Sequence, residues 1–509
     1  MSWTRLVLLV LFGLVAACSP DGPPEDTLRV GVPALPTSWG DPYRAEGGPP
    51  AHTWSALFDG LTRLDQYGEI QPALAESWIS PDGLTWRFAI RSGVRFSNGA
   101  PLDAAAIAAT LQWLASPAGR TTIIGARMRD IVKVEAPDSR TLVITLRSPD
   151  PILPRRLTST MIVEPETWAR LGPVAFSKAP VGTGPYRLVR FDERGRRAIM
   201  EANPYAWRPP LTPRLEVIEL VDEAVRNQAL ISGHIDLGRV GLDEAHLLEQ
   251  RGLTIVTPAS MQVMAIALIT EGRETPLDDV RIRRALNHAV DKEAISRMLL
   301  AGRGAPAGQP ASRVTPGHDP SITPYAYDPS RARALLREAG YEDGFPLVIE
   351  GVIGALPADS AVYQAVAWYL NQVGVRAIFR PSPYATMMSR NQTGRWGGVD
   401  AFANPWTAAP YNDLRKPIEA YSCIKAKPFF CDKALSDALE TATRQMEPSQ
   451  RTEALQAVSR AYHEAAVSIF LVEQIDVFGY SPRVQNLTIA NRVPAYDQIE
   501  LAPGPQVRR

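Results

Sequence analysis

Two stretches of the chain alternate between apolar and other side chains, "LTWRFAIR" and "TLVITLRS". The apolar positions are Leu84, Trp86, Phe88 and Ile90 in the first stretch and Leu142, Ile144 and Leu146 in the second. A period of two places such side chains on one face of a strand. We therefore predict two half-buried β-strands here, and a shorter apolar strand in "TLRVGVPA".

Two other stretches, "DPSRARALLREAGY" and "LDDVRIRRALNHAVDKEAISRMLLAG", carry the period of a helix. Their apolar residues are Ala332, Leu335, Leu336 and Ala339 in the first and Ile282, Ala285, Leu286, Ala289 and Val290 in the second. Asp328 and Pro329 are typical of a helix start, and Gly340 of its end. We predict one helix in each stretch, the second ending at Gly302.

"SNGAPLDAAAIAATLQWL" predicts a turn at Asn98-Gly99 and then a helix capped by Asp103. Strands and helices intermix along the whole chain. The predicted fold class is therefore α/β, or mixed α+β, with mixed sheets.

The N-terminal segment is typical of an export signal, with Arg5, an apolar run at 6–12 and small residues before Cys18. The run is shorter than the roughly 20 apolar residues that span a bilayer. Val15-Ala16-Ala17-Cys18 resembles the lipobox of bacterial lipoproteins, in which the cysteine is acylated and becomes the new N-terminus.

We therefore predict a lipoprotein signal peptide over residues 1–17, lipidation of Cys18 and a flexible tether over residues 18–27. The predicted location is the periplasm or cell envelope, at a membrane surface. The alternative is an ordinary cleaved signal whose cysteine is incidental.

Cys423 and Cys431 lie close together in "YSCIKAKPFFCD". An oxidising compartment favours a disulfide between them. The alternatives are a pair of free thiols or a two-cysteine metal site, although no histidine lies nearby in sequence.

The chain has 509 residues, 54 of them basic and 54 acidic, and 45% are hydrophobic. This length predicts two or more domains. A nucleic-acid surface requires a basic excess, which zero net charge argues against.

The sequence offers no constellation for catalysis. Its six histidines lack metal-ligand spacing, and neither a Gly-x-Ser-x-Gly motif nor a Walker-type loop is present. "VGTGPY" lacks the Walker lysine and precedes a strand-like segment, so we predict a tight backbone crossing there. Ser422-Cys423-Ile424-Lys425 fits Ser-x-x-Lys without the partner motifs of that serine chemistry. We predict no enzyme, no cofactor and no metal.

Several stretches together resemble the extracytoplasmic solute-binding proteins of bacterial ABC importers, in the peptide/nickel-binding family (family 5). The matching segments, in family order from about residue 28 to 480, are residues 56–107, "VGTGPYRLVRFDERG" at 181–195, "NPYAW" at 203–207, "VRIRRALNHAVDKEAI" and "YDPSRARALLREAGY". The resemblance implies a two-lobed periplasmic-binding-protein fold, class II-like and of cluster C, with an extra inserted subdomain. The implied divisions are lobe I at 28–46, 165–262 and 481–509, the subdomain at 47–164, and lobe II at 263–480.

"GVDAFANPWTAAPYNDL", residues 398–414, aligns with the ligand loop of that family. Asp400 and Trp406 match its strand and tryptophan. Ala408 and Ala409 stand where peptide binders place the carboxylate that pairs with the ligand's α-amino group. Burying an unpaired ammonium costs several kcal/mol. The resemblance therefore implies either that Asp413 substitutes or that the ligand lacks a free amine at this spot.

By the same resemblance, the expected ligand contacts are Trp406, Asn404, Tyr411, Asp413, Tyr384 and Trp39. The implied function is that of a lipid-anchored receptor that closes on a small solute and delivers it to a permease and ATPase complex. The solute would be a peptide, an amine-blocked peptide, a sugar, or an opine-like or phosphorylated conjugate. We expect a monomer that binds no nucleic acid. The alternatives are a nickel or haem carrier of the same family, or an envelope enzyme or chaperone that reuses the fold.

Overall fold

Two mixed β-sheets form the centres of two lobes in the described part of the chain. This part comprises residues 26–45, 48–272, 274–354, 356–403 and 405–503 of a computed structural model. The predicted signal peptide, Cys18 and Asn404 lie outside the described residues. We call residues 26–45, 165–259 and 474–503 the first lobe, residues 48–164 the subdomain and residues 260–473 the second lobe.

The first lobe contains a seven-stranded sheet. Its strands, in spatial order, are Thr254–Val256, Phe478–Tyr480, Leu237–Arg239, Thr27–Val32, Arg214–Glu219, Arg197–Ala202 and Tyr186–Asp192. The predicted strand in "TLRVGVPA" is confirmed as the central strand Thr27–Val32, and every residue in it is buried, as in a sheet covered on both faces. Phe478–Tyr480 pairs in this sheet, although the expected second lobe extended to residue 480.

The subdomain contains a four-stranded antiparallel sheet. Its strands, in spatial order, are Ala75–Ile79, Thr85–Ile90, Thr141–Leu146 and Ile131–Asp138. Both alternating stretches are confirmed as strands, and Trp86, Phe88 and Ile90 are buried on one face. Asp103 caps the helix Ala104–Ala115, as predicted, by accepting from the Ala106 amide.

The second lobe contains a six-stranded sheet. Five strands run in the order Arg376–Pro381, Pro346–Gly351, Ala401–Ala403, Gln262–Leu268 and Trp406–Thr407, and Ser468–Glu473 also pairs with Gln262–Leu268. Cys423 and Cys431 form a disulfide in this lobe, with their Cα atoms 4.7 Å apart. The loop that they close carries Phe429 and Phe430 into the core.

Helices cover these sheets. In the first lobe and subdomain they are Gly48–Leu57, Ala104–Ala115, Leu153–Arg156, Pro165–Phe176, Glu223–Ile231 and Ala245–Gln250. In the second lobe they are Val280–Ala289, Lys292–Leu299, Pro329–Glu338, Asp359–Asn371, Tyr384–Thr393, Arg415–Glu419, Lys433–Thr443 and Pro448–Glu464. Within the described ranges, no helix combines the length and the apolar character needed to cross a bilayer.

One predicted helix is wrong in its extent. The structure divides the stretch expected to be helical as far as Gly302 into Val280–Ala289 and Lys292–Leu299. Val290 adopts an extended backbone, and the Asp291 carboxylate accepts from the Ala294 amide, which starts a new helix. The other predicted helix is confirmed as Pro329–Glu338, capped by Asp328.

The predicted backbone crossing at "VGTGPY" is confirmed. A Cβ atom would stand 2.3 Å from the Leu57 carbonyl oxygen at Gly182, and 2.4 Å from the Ala56 carbonyl oxygen at Gly184. The Gly184 amide donates to the Leu57 carbonyl over 3.0 Å. Only glycine permits this approach, which fixes the end of helix Gly48–Leu57.

Candidate functional site

A cavity of about 390 Å³ lies where the two lobes face each other. The second lobe lines it with Gln262, Thr407, Ala409, Pro410 and Lys416. The first lobe and subdomain supply the opposite wall, which includes Trp54, Arg63, Leu64, Met161, Arg208, Arg492, Tyr496 and Asp497. Sites for small ligands typically have such a volume and lie between domains.

The second lobe's wall consists of one end of the paired strands Gln262–Leu268 and Trp406–Thr407, and of the loop that follows Thr407. Gln262 pairs with Thr407 across neighbouring strands, and its side-chain amide donates to the Thr407 hydroxyl over 3.0 Å. The chain then passes through the cis peptide bond between Ala409 and Pro410. Helix Arg415–Glu419 returns it to the cavity and presents Lys416 there.

The opposite wall is assembled from distant parts of the sequence. Trp54 lies on helix Gly48–Leu57, and its indole nitrogen donates to the Trp39 carbonyl over 2.9 Å. Arg63 lies on the short strand Thr62–Leu64. A C-terminal hairpin contributes the lining residues from 490 to 497.

Arg208 is neutralised within this wall. Its guanidinium contacts the Asp59 carboxylate at 2.6 Å and the Asp497 carboxylate at 2.6 Å. Burial acts to lower the pKa of Arg208, but the two carboxylates outweigh burial and raise it. Asp59 also accepts from the Trp207 indole and the Thr183 hydroxyl, both over 2.9 Å. This network fixes the shape of the wall.

Arg492 is neutralised in the same way, by the buried Asp476 carboxylate at 2.5 Å. Arg239 contacts the same carboxylate at 3.5 Å. The nearby His52 is buried, and its Nδ1 lies 3.4 Å from the Tyr496 hydroxyl. Burial, with the positive charges of Arg492 and Arg239, lowers the pKa of His52 to about 4, so this imidazole is neutral at neutral pH.

Lys416 has a different environment. Its ammonium donates to the Ala409 carbonyl and lies 5.7 Å from the centre of the Tyr411 ring. The Arg127 guanidinium lies over the same ring at 5.4 Å. Burial and then the positive charge of Arg127 lower the pKa of Lys416 to about 8. No carboxylate of the described ranges forms an ion pair with Lys416.

The two central expected contacts, Trp406 and Asp413, are buried inside the second lobe. Trp406 is 1% exposed, stacks on Tyr421 at 3.8 Å and donates to the Ser468 hydroxyl over 3.1 Å. The Asp413 carboxylate pairs with Arg451 at 2.6 Å and accepts from the Arg415 amide. Neither side chain lines the cavity, and the substitute role suggested for Asp413 would compete with Arg451.

The other described candidates are spread over a wider region. Tyr411 is half-buried beside the cavity, and the Arg127 and Lys416 cations lie 5.4 and 5.7 Å from its ring centre. Trp39 packs on Phe191 and supports Trp54 through its carbonyl. Tyr384 begins helix Tyr384–Thr393 and is 62% exposed. That these residues contact a ligand stays a prediction.

The sequence reasoning missed the charged lining residues. Lys416 lies two residues beyond the loop at 398–414, and a cation seven residues after Ala409 is a usable signal. Arg63 and Arg492 gave none, because only the fold brings them to the cavity. Among the residues that the structure describes, no group of three or more His, Cys, Asp or Glu side chains could hold a metal ion.

Two α/β lobes around a cavity at their boundary define a two-lobed solute-binding protein, and this confirms the predicted fold class. The chain belongs to the bacterial extracellular solute-binding proteins, family 5 (Middle), whose model matches residues 69–426. Membership of an extracellular family places the chain outside the cytoplasm.

Individual relatives agree with this family. The glutathione-binding protein GsiB of Shigella flexneri serotype 5b (strain 8401) is 28% identical over 475 residues, which cover 88% of each chain. Two solved structures share the fold. HbpA2 from Haemophilus parasuis has a TM-score of 0.82 at 22% identity, over 94% of this chain and 100% of its own. The DppA periplasmic binding protein from Helicobacter pylori, in complex with the peptide STSA, has a TM-score of 0.75 at 21% identity, over 93% of this chain and 98% of its own.

Proposed function

We propose that this protein is the lipid-anchored receptor of an ABC importer, which captures a peptide-like or other small polar solute and delivers it to a membrane permease. The observation that carries this proposal is the cavity of about 390 Å³ whose walls come from both lobes. A solute there contacts both walls at once, so it binds the closed arrangement better than an open one. Closure also removes water from the solute, which strengthens polar contacts.

The relatives support the class of solute. One is named a glutathione-binding protein, and one structural neighbour holds a short peptide. The lining mixes apolar side chains such as Trp54, Leu64 and Met161 with a few polar groups, which suits a small molecule with both characters. We assign no chemical step to the protein.

The receptor proposal is tested on protein purified from its own host under native conditions. Native mass spectrometry should show one small molecule retained per chain, and small-angle scattering should show a more compact particle with that molecule than after its removal. Scattering curves that are unchanged by every host metabolite fraction would overturn the proposal.

The anchor proposal rests on the sequence around Cys18 and has a separate test. Cys18→Ala should move the protein from the membrane fraction to the soluble fraction of its host, because the acyl chains are lost. The double variant Cys423→Ser with Cys431→Ser is the matched control and should remain with the membrane. A mature N-terminus that carries no acyl chains in mass spectrometry of the wild type would contradict lipidation, because the uncleaved apolar run at 6–12 is a second cause of membrane retention in Cys18→Ala.

A further inference from the structure

The charged side chains that line the cavity are mostly positive. Among the described lining residues, the cations are Arg63, Arg208, Lys416 and Arg492, and the one carboxylate is Asp497. A small cleft with low-dielectric walls concentrates the field of such charges and raises the local concentration of ions of opposite sign. Which of these cations are already neutralised therefore decides the charge that the cavity favours.

Carboxylates of the first lobe and the subdomain neutralise two of the four cations. Arg208 contacts both Asp59 and Asp497, and Arg492 shares Asp476 with Arg239, so three guanidinium groups face three carboxylates. The Asp497 carboxylate is itself used by Arg208, at 2.6 Å, so it does not serve the other cations. These pairs stabilise the wall and add little net charge to the cavity.

Arg63 and Lys416 remain without a carboxylate partner among the residues described. Lys416 has a backbone carbonyl and an aromatic ring as its neighbours, and both leave its charge in place. Arg63 is exposed on the strand Thr62–Leu64. The Arg127 guanidinium lies over the Tyr411 ring at 5.4 Å, and burial together with its positive charge lowers the pKa of Lys416 to about 8. Burial is the larger cause of the lowered pKa, and the Arg127 charge is the second.

We propose that the solute is an organic anion whose carboxylate or phosphate group is bound by Lys416 from the second lobe and Arg63 from the subdomain. This proposal rests on the proposed function and names the solute class of the same site. The apolar lining around Trp54 and Leu64 takes the uncharged part of the molecule.

The placement of the two cations on opposite walls also couples binding to closure. Closure brings like charges towards one cavity, which is unfavourable while the cavity holds only water. An anion that contacts both cations removes this repulsion and gains two charge-assisted hydrogen bonds. It therefore has the differential affinity for the closed state that a closing ligand requires.

The first test separates host metabolites by ion exchange into anionic, neutral and cationic fractions. Each fraction is added to the purified mature protein, and the melting temperature is recorded. The anionic fraction alone should raise the melting temperature. Methyl esterification should abolish this effect if the anionic group is a carboxylate, and phosphatase treatment should abolish it if the group is a phosphate. Stabilisation by only the neutral or cationic fraction would overturn the anion proposal and leave the receptor function intact. If no fraction acts, the receptor function itself fails.

The second test assigns the residues. The compound that stabilises the protein is purified from its fraction, and its affinity for each variant is measured by titration calorimetry. Lys416→Gln and Arg63→Gln should each lower this affinity by about tenfold or more. Lys433→Gln is the matched control, because this exposed lysine of the second lobe lies on helix Lys433–Thr443, away from the cavity lining, and pairs with Asp437. Unliganded melting temperatures verify that each variant folds. Wild-type affinity in both Lys416→Gln and Arg63→Gln would overturn the assignment.

Discussion

The side-chain amide of Asn412 donates to the Gly68 carbonyl oxygen over 3.0 Å and to the Val314 carbonyl oxygen over 2.5 Å. Gly68 lies in a turn of the subdomain, whereas Asn412 and Val314 belong to the second lobe. Asn412 is fully buried and has a φ of +55°, a conformation that asparagine tolerates better than most residues. A Cβ atom at Gly68 would stand 2.2 Å from the Asn412 amide nitrogen. One asparagine thus joins the two sides of the cleft.

This contact is expected to favour the closed arrangement. Asn412→Ala removes the bridging hydrogen bond to Gly68, worth about 0.5–1.5 kcal/mol, so solute affinity should fall about two- to tenfold. Titration calorimetry measures this change, and scattering of the unliganded variant should show a larger radius of gyration. The control is Asn486→Ala, at an exposed asparagine with a φ of +58°. Equal affinity in Asn412→Ala and the wild type would show that the contact does not stabilise closure.

The Asp59 network predicts a large effect on stability. Asp59→Ala leaves Arg208 with Asp497 as its remaining carboxylate and removes the acceptor of Trp207 and Thr183. Breaking a buried ion pair by removing one partner costs about 3–5 kcal/mol. Urea denaturation should show a loss of this order.

The control for Asp59 is Glu69→Ala, at a carboxylate that is 62% exposed and pairs with Arg155. Exposed ion pairs contribute about 0–1 kcal/mol, so Glu69→Ala should unfold close to the wild type. Similar losses of unfolding free energy in the two variants would mean that the buried network stabilises the protein no more than an exposed ion pair does.

The disulfide between Cys423 and Cys431 should stabilise the second lobe. The cysteines are 8 residues apart, and cross-linking a loop of this size restricts the unfolded chain by about 2–3 kcal/mol. Replacing both cysteines by serine should lower the free energy of unfolding by this amount. A reducing agent should have the same effect on the wild type and none on the double variant. A reducing agent that destabilises both proteins equally would point to a cause other than this bond.

His52 predicts a loss of stability in acid. Its pKa is about 4 in the folded protein and about 6.5 in the unfolded chain, so the unfolded state binds the proton more readily. The stability that this neutral imidazole contributes is complete above about pH 6.5 and is lost as the pH falls towards 4. At about 1.4 kcal/mol for each pH unit between the two pKa values, the total is about 3 kcal/mol.

The measurement is the free energy of unfolding between pH 4 and 7 for the wild type and for His52→Gln. The wild type should lose about 3 kcal/mol more than the variant over this range. Parallel pH profiles in the two proteins would contradict the assignment of this acid sensitivity to His52.

Local patterns in the sequence determined the elements and the family. The alternation around Trp86 predicted strand Thr85–Ile90, and Asp328 predicted the start of helix Pro329–Glu338, because periodicity and capping act within a few residues. The end of helix Val280–Ala289 at Val290 also has a local signal, because Asp291 caps the helix that follows. The helical period of apolar residues continues through this point, however, and predicts one helix. The succession of such elements predicted the mixed α/β class, and the resemblance of the motifs to the solute-binding family implied two lobes.

The cavity was decided by the tertiary structure. In the sequence, Asp413 is a carboxylate within a ligand loop and has no evident partner. In the structure its carboxylate forms an ion pair with Arg451, because a buried charge requires a partner and packing brings Arg451 within reach. Conversely, Arg63 belongs to the subdomain and Lys416 to the second lobe, and they line one cavity only in the folded chain. Local sequence fixes backbone conformation, whereas the pairing of charges depends on long-range packing, which no short pattern encodes.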